Sequence, residues 1–139
     1  MTISDAERND LILYRLQQSS ELENEIQSHI KNDFYSTAVN RMYYSVFYCL
    51  TALALIYRFE TSKHNQLIGW FNKEFINTNI FDKEQSKIVL KLFEKRKKSD
   101  YDPFIDFQED EVKAMFHEMK GFVQGLKQFV YKKINNGLT

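Results

Sequence analysis

Arg41 and Arg96 lie in apolar segments of this chain, where a guanidinium is costly to bury. Arg41 stands near the start of the apolar run Ala38–Tyr57, and Arg96 interrupts the apolar face of the segment that leads into RKKSDYD. A guanidinium in such a place requires a carboxylate or a phosphate to offset its desolvation. The two arginines are therefore the first candidates for a functional site.

Polar residues accompany both arginines. On a helical wheel of about 100° per residue, Arg96 and Asp100 fall in one apolar arc. Two interpretations of this pattern stay open. In the first, Arg41 or Arg96 pairs with Asp100 and orders the fold. In the second, a polar pocket forms, and its members are Asn40, Arg41, Tyr43, Tyr44, Arg96, Asp100 and Tyr101.

A stripe of lysines follows the other side of the Arg96 helix: Lys83, Lys87, Lys91, Lys95 and Lys98. A solvated surface is the favoured interpretation of such a stripe. The alternative is a strip that follows a nucleic-acid backbone, with Lys87, Lys91 and Lys95 as its phosphate contacts.

His64 lies among apolar residues, where a lone histidine is more often a core residue than a catalyst. The sequence has no second histidine at metal-ligand spacing from it, no CxxC and no HExxH. It also has no glycine-rich phosphate loop and no GxSxG turn. We therefore predict no metal site and no cofactor.

His117 begins the motif H-x-x-K-G, which ends at Lys120 and Gly121. The motif resembles the phosphoacceptor signature of histidine phosphotransfer domains, which are helical bundles of similar size. The match fixes only three positions, and Glu118 would repel an incoming phosphoryl group. Phosphotransfer through His117 is therefore the least favoured function.

Length and composition favour one all-α domain that spans residues 1–139. Proline occurs once and glycine four times, too few for a many-stranded fold, and acidic and basic residues balance at 19 each. The single Cys49 fits a reducing cytoplasm, and the N-terminus lacks a signal-peptide pattern. The uncharged run Met42–Tyr57 is shorter than the roughly 20 residues of a membrane span, so we expect a core helix there.

Apolar periodicity and capping signals predict five helices in an antiparallel bundle. The predicted helices are about Ser4–Lys31, Tyr35–Arg58, a third after a Thr61/Ser62 cap, a fourth from an Asp82 cap to about Asp100, and a fifth from Glu109 to a turn at Asn135–Gly137.

Three separated motifs within residues 34–104 resemble the HEPN domain superfamily, in its small prokaryotic branch. They are A-x-N-R-x-Y-Y, which starts at Ala38, K-H at Lys63, and R-x-x-x-D-Y, which starts at Arg96. The resemblance implies a four- or five-helix bundle, commonly a homodimer with a shared cleft. It also implies functional roles for Asn40, Arg41, Tyr44, His64, Arg96, Asp100 and Tyr101.

Many HEPN domains are metal-independent ribonucleases with an arginine and a histidine in one motif, and small members often pair with a minimal nucleotidyltransferase. Here Tyr101 stands where the histidine is expected, after four intervening residues. A tyrosine, with an ordinary pKa near 10, is a poor base at pH 7. Two functions stay open. One is a protein that binds RNA or nucleotide, with slow cleavage of a toxin–antitoxin type at Arg96, Asp100 and Tyr101. The other is a non-catalytic nucleotidyltransferase partner.

Overall fold

A computed structural model describes residues 3–136 of the chain, and within them it shows helices and no strand. Five α-helices follow one another: α1 (Asp5–Lys31), α2 (Tyr35–Ile56), α3 (His64–Phe71), α4 (Lys83–Tyr101) and α5 (Glu109–Asn135). The π-helix Asn72–Ile76 continues α3 without a break. The predicted all-α helical bundle is confirmed.

Helix α2 occupies the centre of the bundle and packs against α1, α3, α4 and α5. Half of its residues are buried, because the sequence is apolar nearly all round and must be covered on most sides. By length and composition α2 is the one described helix that could cross a membrane. This is weak evidence for a membrane span, since a buried core helix satisfies the same criterion.

Helices α1 and α2 form a hairpin that buried hydroxyl groups hold in register. Ser19 Oγ lies 2.8 Å from the carbonyl oxygen of Ser45, and Ser45 Oγ lies 3.1 Å from the carbonyl oxygen of Ser19. Cys49 Sγ lies 3.1 Å from Ser19 Oγ, and burial raises the pKa of the Cys49 thiol to about 11. Cys49 is therefore a packing residue rather than a nucleophile.

The helix starts follow local signals, with one exception. Ser4 and Glu7 form a capping box on α1, and Asp82 accepts the N–H of Gln85 at the start of α4, as predicted. The predicted Thr61/Ser62 cap of α3 is wrong. Lys63 holds the cap position without a side-chain bond, because Thr61 Oγ1 accepts the Lys63 N–H instead.

Helix α2 ends two residues before the predicted Arg58, because Arg58 adopts a left-handed conformation with φ 59°. The N–H groups of Arg58 and Phe59 donate to the carbonyl oxygens of Leu55 and Ala54, which closes the helix as a Schellman motif. The predicted turn at the other end of the chain is only partly described. Helix α5 ends at Asn135, and Gly137 lies outside the described residues.

Glycine at position 58 should stabilise the fold. A left-handed conformation costs a non-glycine residue about 1 kcal/mol or more, and glycine adopts it freely. Arg58 also pairs with Asp5 at 3.2 Å, and the proper control is therefore Arg58→Ala, which loses the same exposed ion pair but keeps the strain. We expect the free energy of unfolding in urea to be about 1 kcal/mol higher for Arg58→Gly than for Arg58→Ala. Equal stability of the two variants would contradict this account of the helix end.

Candidate functional site

The predicted site residues meet where the N-terminal half of α2 faces the start of α3 and the C-terminal half of α4. We call this group the arginine–tyrosine cluster, and its members are Arg41, Tyr43, Tyr44, His64, Arg96 and Asp100. Three different helices supply them. The cluster forms here because Asn40 and Arg41, the strongly polar residues of α2, lie near its start, at the edge of the core that it fills.

Arg96 lies at the centre of the cluster on aromatic rings. Its guanidinium carbon is 4.8 Å from the ring centroid of Tyr43, 5.8 Å from that of Tyr44 and 5.8 Å from that of Phe93. Its Nη1 donates to Asp100 Oδ2 at 3.2 Å. The side chain is 17 % exposed, and Nε has no hydrogen-bond partner among residues 3–136. One guanidinium donor is thus used by Asp100, while the buried Nε–H is left without an acceptor in this part of the chain.

The apolar sequence around Arg41 predicted a buried side chain. In the structure this side chain is 39 % exposed. It pairs with Glu25 of α1 at 3.9 Å and not with Asp100. Its guanidinium carbon lies 5.7 Å from the ring centroid of Tyr44. Tyr44 is therefore in contact with both arginines, and this ring joins two cations that lie on different helices.

His64 joins the cluster as the first residue of α3. Its ring stacks on Phe47, with centroids 4.1 Å apart and planes 20° apart, and it also stacks on Tyr43 at 5.6 Å. Its Nδ1 lies 2.7 Å from Tyr43 Oη. Tyr43 contacts Arg96 as well, so this one buried ring links the histidine to the arginine. The geometry thus places His64 beside the other predicted site residues, and its functional role stays a prediction.

The electrostatics of the cluster favour a neutral imidazole. Burial lowers the pKa of His64, and the positive charge of Arg96 lowers this pKa further. Its place at the start of α3 acts in the same direction, because a helix N-terminus disfavours a cation. Burial also raises the pKa of Tyr43 well above its ordinary value. At pH 7 the cluster therefore holds Arg41, the Arg96–Asp100 ion pair, a neutral His64 and a neutral Tyr43.

Asn40 and Tyr101 are placed less closely than predicted. Asn40 is half-buried on α2, and its side chain makes no hydrogen bond to another described residue. Tyr101 is the last residue of α4 and is 83 % exposed. Five residues of α-helix turn Tyr101 about 140° away from Arg96. The structure thus brings Asp100 to Arg96 but does not bring Tyr101 into the cluster.

The lysine stripe is largely neutralised by carboxylates. Its pairs are Lys87–Glu84 at 3.1 Å, Lys91–Glu118 at 3.4 Å and Lys95–Glu111 at 3.6 Å. Two of these pairs join α4 to α5. A phosphate-tracking role for Lys87, Lys91 and Lys95 stays a prediction, and it would require these pairs to open.

The remaining candidate chemistry is sparse. His117 is exposed on α5, as the phosphoacceptor motif requires, while the neighbouring Glu118 faces Lys91. Within residues 3–136 no group of three histidine, cysteine, aspartate or glutamate side chains could hold a metal ion. The arginine–tyrosine cluster is consequently the strongest candidate site in the described part of the chain.

Comparison with known proteins agrees with the motifs. A family model for the HEPN domain matches residues 11–129. The chain belongs to the HEPN domain family. The resemblance noted in the sequence is thereby confirmed, and it extends over α1 and α5, which the three motifs did not cover.

Three relatives of this HEPN protein are similar over most of their length. The "UPF0332 protein" of Thermotoga maritima is 32 % identical over 89 % of this chain and 94 % of the relative. Two proteins of Methanocaldococcus jannaschii are also similar. "Putative toxin MJ0142" is 33 % identical over 87 % of this chain and 83 % of the relative. "Putative toxin MJ0605" is 30 % identical over 70 % of this chain and 72 % of the relative.

Two contacts of the HEPN site escaped the sequence-based prediction. Phe47 stacks on His64, and it could have been found, because it lies one helical turn after Tyr43 and Tyr44 on the same face. Glu25 neutralises Arg41, but no sequence signal indicates it, because the register between α1 and α2 decides that contact. The complete site presents hydrogen-bond donors and aromatic faces, which suit an anionic ligand with flat rings.

Proposed function

We propose that this HEPN protein binds RNA through the arginine–tyrosine cluster, as the toxin-type component of a toxin–antitoxin pair. The observation that carries the proposal is Arg96, which is 17 % exposed and lies on three aromatic rings. It has one carboxylate partner, and its Nε has no acceptor among residues 3–136. A phosphate oxygen satisfies such donors better than water does, since the surroundings are apolar. The names of the two Methanocaldococcus relatives support the toxin role.

Single-stranded RNA fits the surface beyond α4. Phe104 is 90 % exposed, and its backbone is held in a turn in which its N–H donates to Asp102 Oδ1 at 2.9 Å. Tyr101 lies three residues earlier, and Lys97 and Lys98 precede it on the last turns of α4. Exposed aromatic rings beside cations are typical of sites where unpaired bases stack and phosphates are neutralised. A duplex, whose bases are already stacked, would not use these rings.

Arg96→Met should abolish RNA binding while the protein stays folded. Methionine retains the contacts with the aromatic rings, and a partly exposed ion pair of this kind contributes at most about 1 kcal/mol to stability. Lys113→Met is the matched control, because it removes an equal charge from an exposed pair with Glu109 on α5. We expect fluorescence anisotropy with a labelled single-stranded RNA to show loss of binding for Arg96→Met alone.

Two outcomes would contradict this assignment. Unfolding of Arg96→Met at a cost of about 3–5 kcal/mol would mean that Arg96 is a buried structural ion, whose loss leaves Asp100 unpaired. A folded wild-type protein that binds no RNA at low salt would exclude the RNA role. It would leave the alternative in which the chain is a non-catalytic partner of a nucleotidyltransferase.

Cleavage of the bound RNA is a second candidate function, and the contact of Arg96 and His64 with one tyrosine ring favours it. An arginine and a histidine are the residues that the family's ribonucleases use, and here two helices supply them. In the reaction hydroxide from solvent takes the proton of the RNA 2′-hydroxyl, and the 2′-oxygen attacks the adjacent phosphorus to form a 2′,3′-cyclic phosphate. The bond to the 5′-oxygen breaks, and water protonates that leaving oxygen. Arg96 would stabilise the charge that develops on the phosphate oxygens.

We expect this cleavage to be slow at pH 7, to rise toward alkaline pH and to persist in EDTA, because hydroxide from solvent takes the 2′-hydroxyl proton and no metal ion takes part. Arg96→Met should abolish it. Tyr101→Phe should leave cleavage unchanged, since Tyr101 lies outside the cluster. Tyr101→His is measured in the same assay. The assay follows a labelled RNA on a denaturing gel. Loss of cleavage in Tyr101→Phe, with gain in Tyr101→His, would restore the assignment made from the motif alone.

We also propose that the RNA-binding unit is a homodimer. The face of α2 that carries Tyr44, Phe47 and Tyr48 is only half-buried, although these residues are large and aromatic. A second copy would cover this face and bring two clusters into one cleft. Sedimentation equilibrium at micromolar concentration should show twice the single-chain mass. Detection of the single-chain mass alone would contradict the dimer without affecting the RNA assignment.

A further inference from the structure

The bond between Tyr43 and His64 determines which imidazole nitrogen can meet a ligand. Tyr43 is 1 % exposed, and its hydroxyl makes one hydrogen bond within residues 3–136, the 2.7 Å contact with His64 Nδ1. A buried hydroxyl that keeps its proton needs an acceptor for it. The only arrangement that satisfies this proton has Tyr43 as the donor and Nδ1 as the acceptor.

This arrangement fixes the tautomer of the histidine. If Nδ1 accepts from Tyr43, the single proton of the neutral ring stands on Nε2. In the opposite arrangement Nδ1–H would donate to Tyr43 Oη, and the buried hydroxyl proton would have no partner. The ring planes of His64 and Phe47 are nearly parallel, so stacking fixes the plane of the imidazole, while the bond to Tyr43 decides which nitrogen faces Oη.

The charged and titratable groups around His64 are consistent with a neutral ring. Arg96 faces it from α4 and is itself paired with Asp100. Tyr43 and Tyr44 face it from α2, and Lys63 precedes it in the chain. None of these groups is a carboxylate in contact with the imidazole. A proton added to His64 would therefore meet positive charge without compensation.

We propose that His64 acts as a neutral hydrogen-bond donor, through Nε2–H, to a phosphate oxygen of the RNA held by Arg96, and that Tyr43 is the positioning residue that fixes this tautomer. The inference rests on the proposed function and deepens it. It assigns the histidine to phosphate recognition and removes it as the acceptor of the 2′-hydroxyl proton, because Nε2 has no free electron pair in this tautomer.

The tautomer can be read in the free protein, without RNA. Long-range proton–nitrogen correlation spectra of labelled protein at pH 8 should show His64 with Nδ1 unprotonated and Nε2 protonated. Tyr43→Phe retains the ring under Arg96 but removes the hydroxyl, and it should raise the population of the other tautomer. Tyr57→Phe removes a hydroxyl from the exposed end of α2 and is the matched control. A wild-type spectrum with the proton on Nδ1 would overturn the proposal.

RNA affinity provides the second measurement. Glutamine can place an amide N–H near the position of Nε2, so His64→Gln should bind within a few-fold of wild type, whereas His64→Leu should lose at least tenfold. Affinity should stay flat from pH 7 to 8.5. A fall of about tenfold per pH unit over this range would mean that the imidazolium is the binding form. If the tautomer is found as stated and no RNA binds, the proposed function fails, while the assignment of the ring nitrogen stands.

Discussion

The burial of α2 is the constraint on which the rest of the structure depends. Its sequence is apolar on nearly every side, and four other helices must therefore surround it. Paired hydroxyl groups fix α1 against it, since Ser19 and Ser45 each bond to the other's backbone. The polar start of α2 cannot enter the core and emerges beside α3 and α4. The position of the arginine–tyrosine cluster follows from this packing.

Aromatic rings allow cations and a histidine to share the cluster. Arg96 contacts the faces of Tyr43 and Tyr44, whose quadrupoles attract a guanidinium, and a single ion pair with Asp100 suffices to hold it. Had His64 been charged, it would have repelled Arg96 across the Tyr43 ring. Its neutral form avoids that repulsion and, in the tautomer that we propose, adds a donor instead of a second charge. This arrangement supports the proposal that the cluster binds an anion.

The site also bears on how a HEPN sequence without the histidine of the ribonuclease motif could act on RNA. In the linear motif Tyr101 stands where that histidine is expected, and a tyrosine is a poor base at pH 7. The structure brings a histidine of α3 to the arginine of α4, with Tyr43 of α2 between them. An arginine and a histidine are thus both present. In the tautomer that we propose, the histidine donates a hydrogen bond and does not act as a base.

Periodicity, caps and motifs in the sequence determined the five helices, the central place of α2 and the family, because these depend on residues close together in the chain. They also placed Asp100 beside Arg96, since both belong to one helix. They could not show that Arg41 pairs with Glu25 and not with Asp100, or that His64 of α3 lies near Arg96 of α4. Those outcomes depend on the register and rotation of one helix against another. Only the packing of the complete core around α2 fixes them.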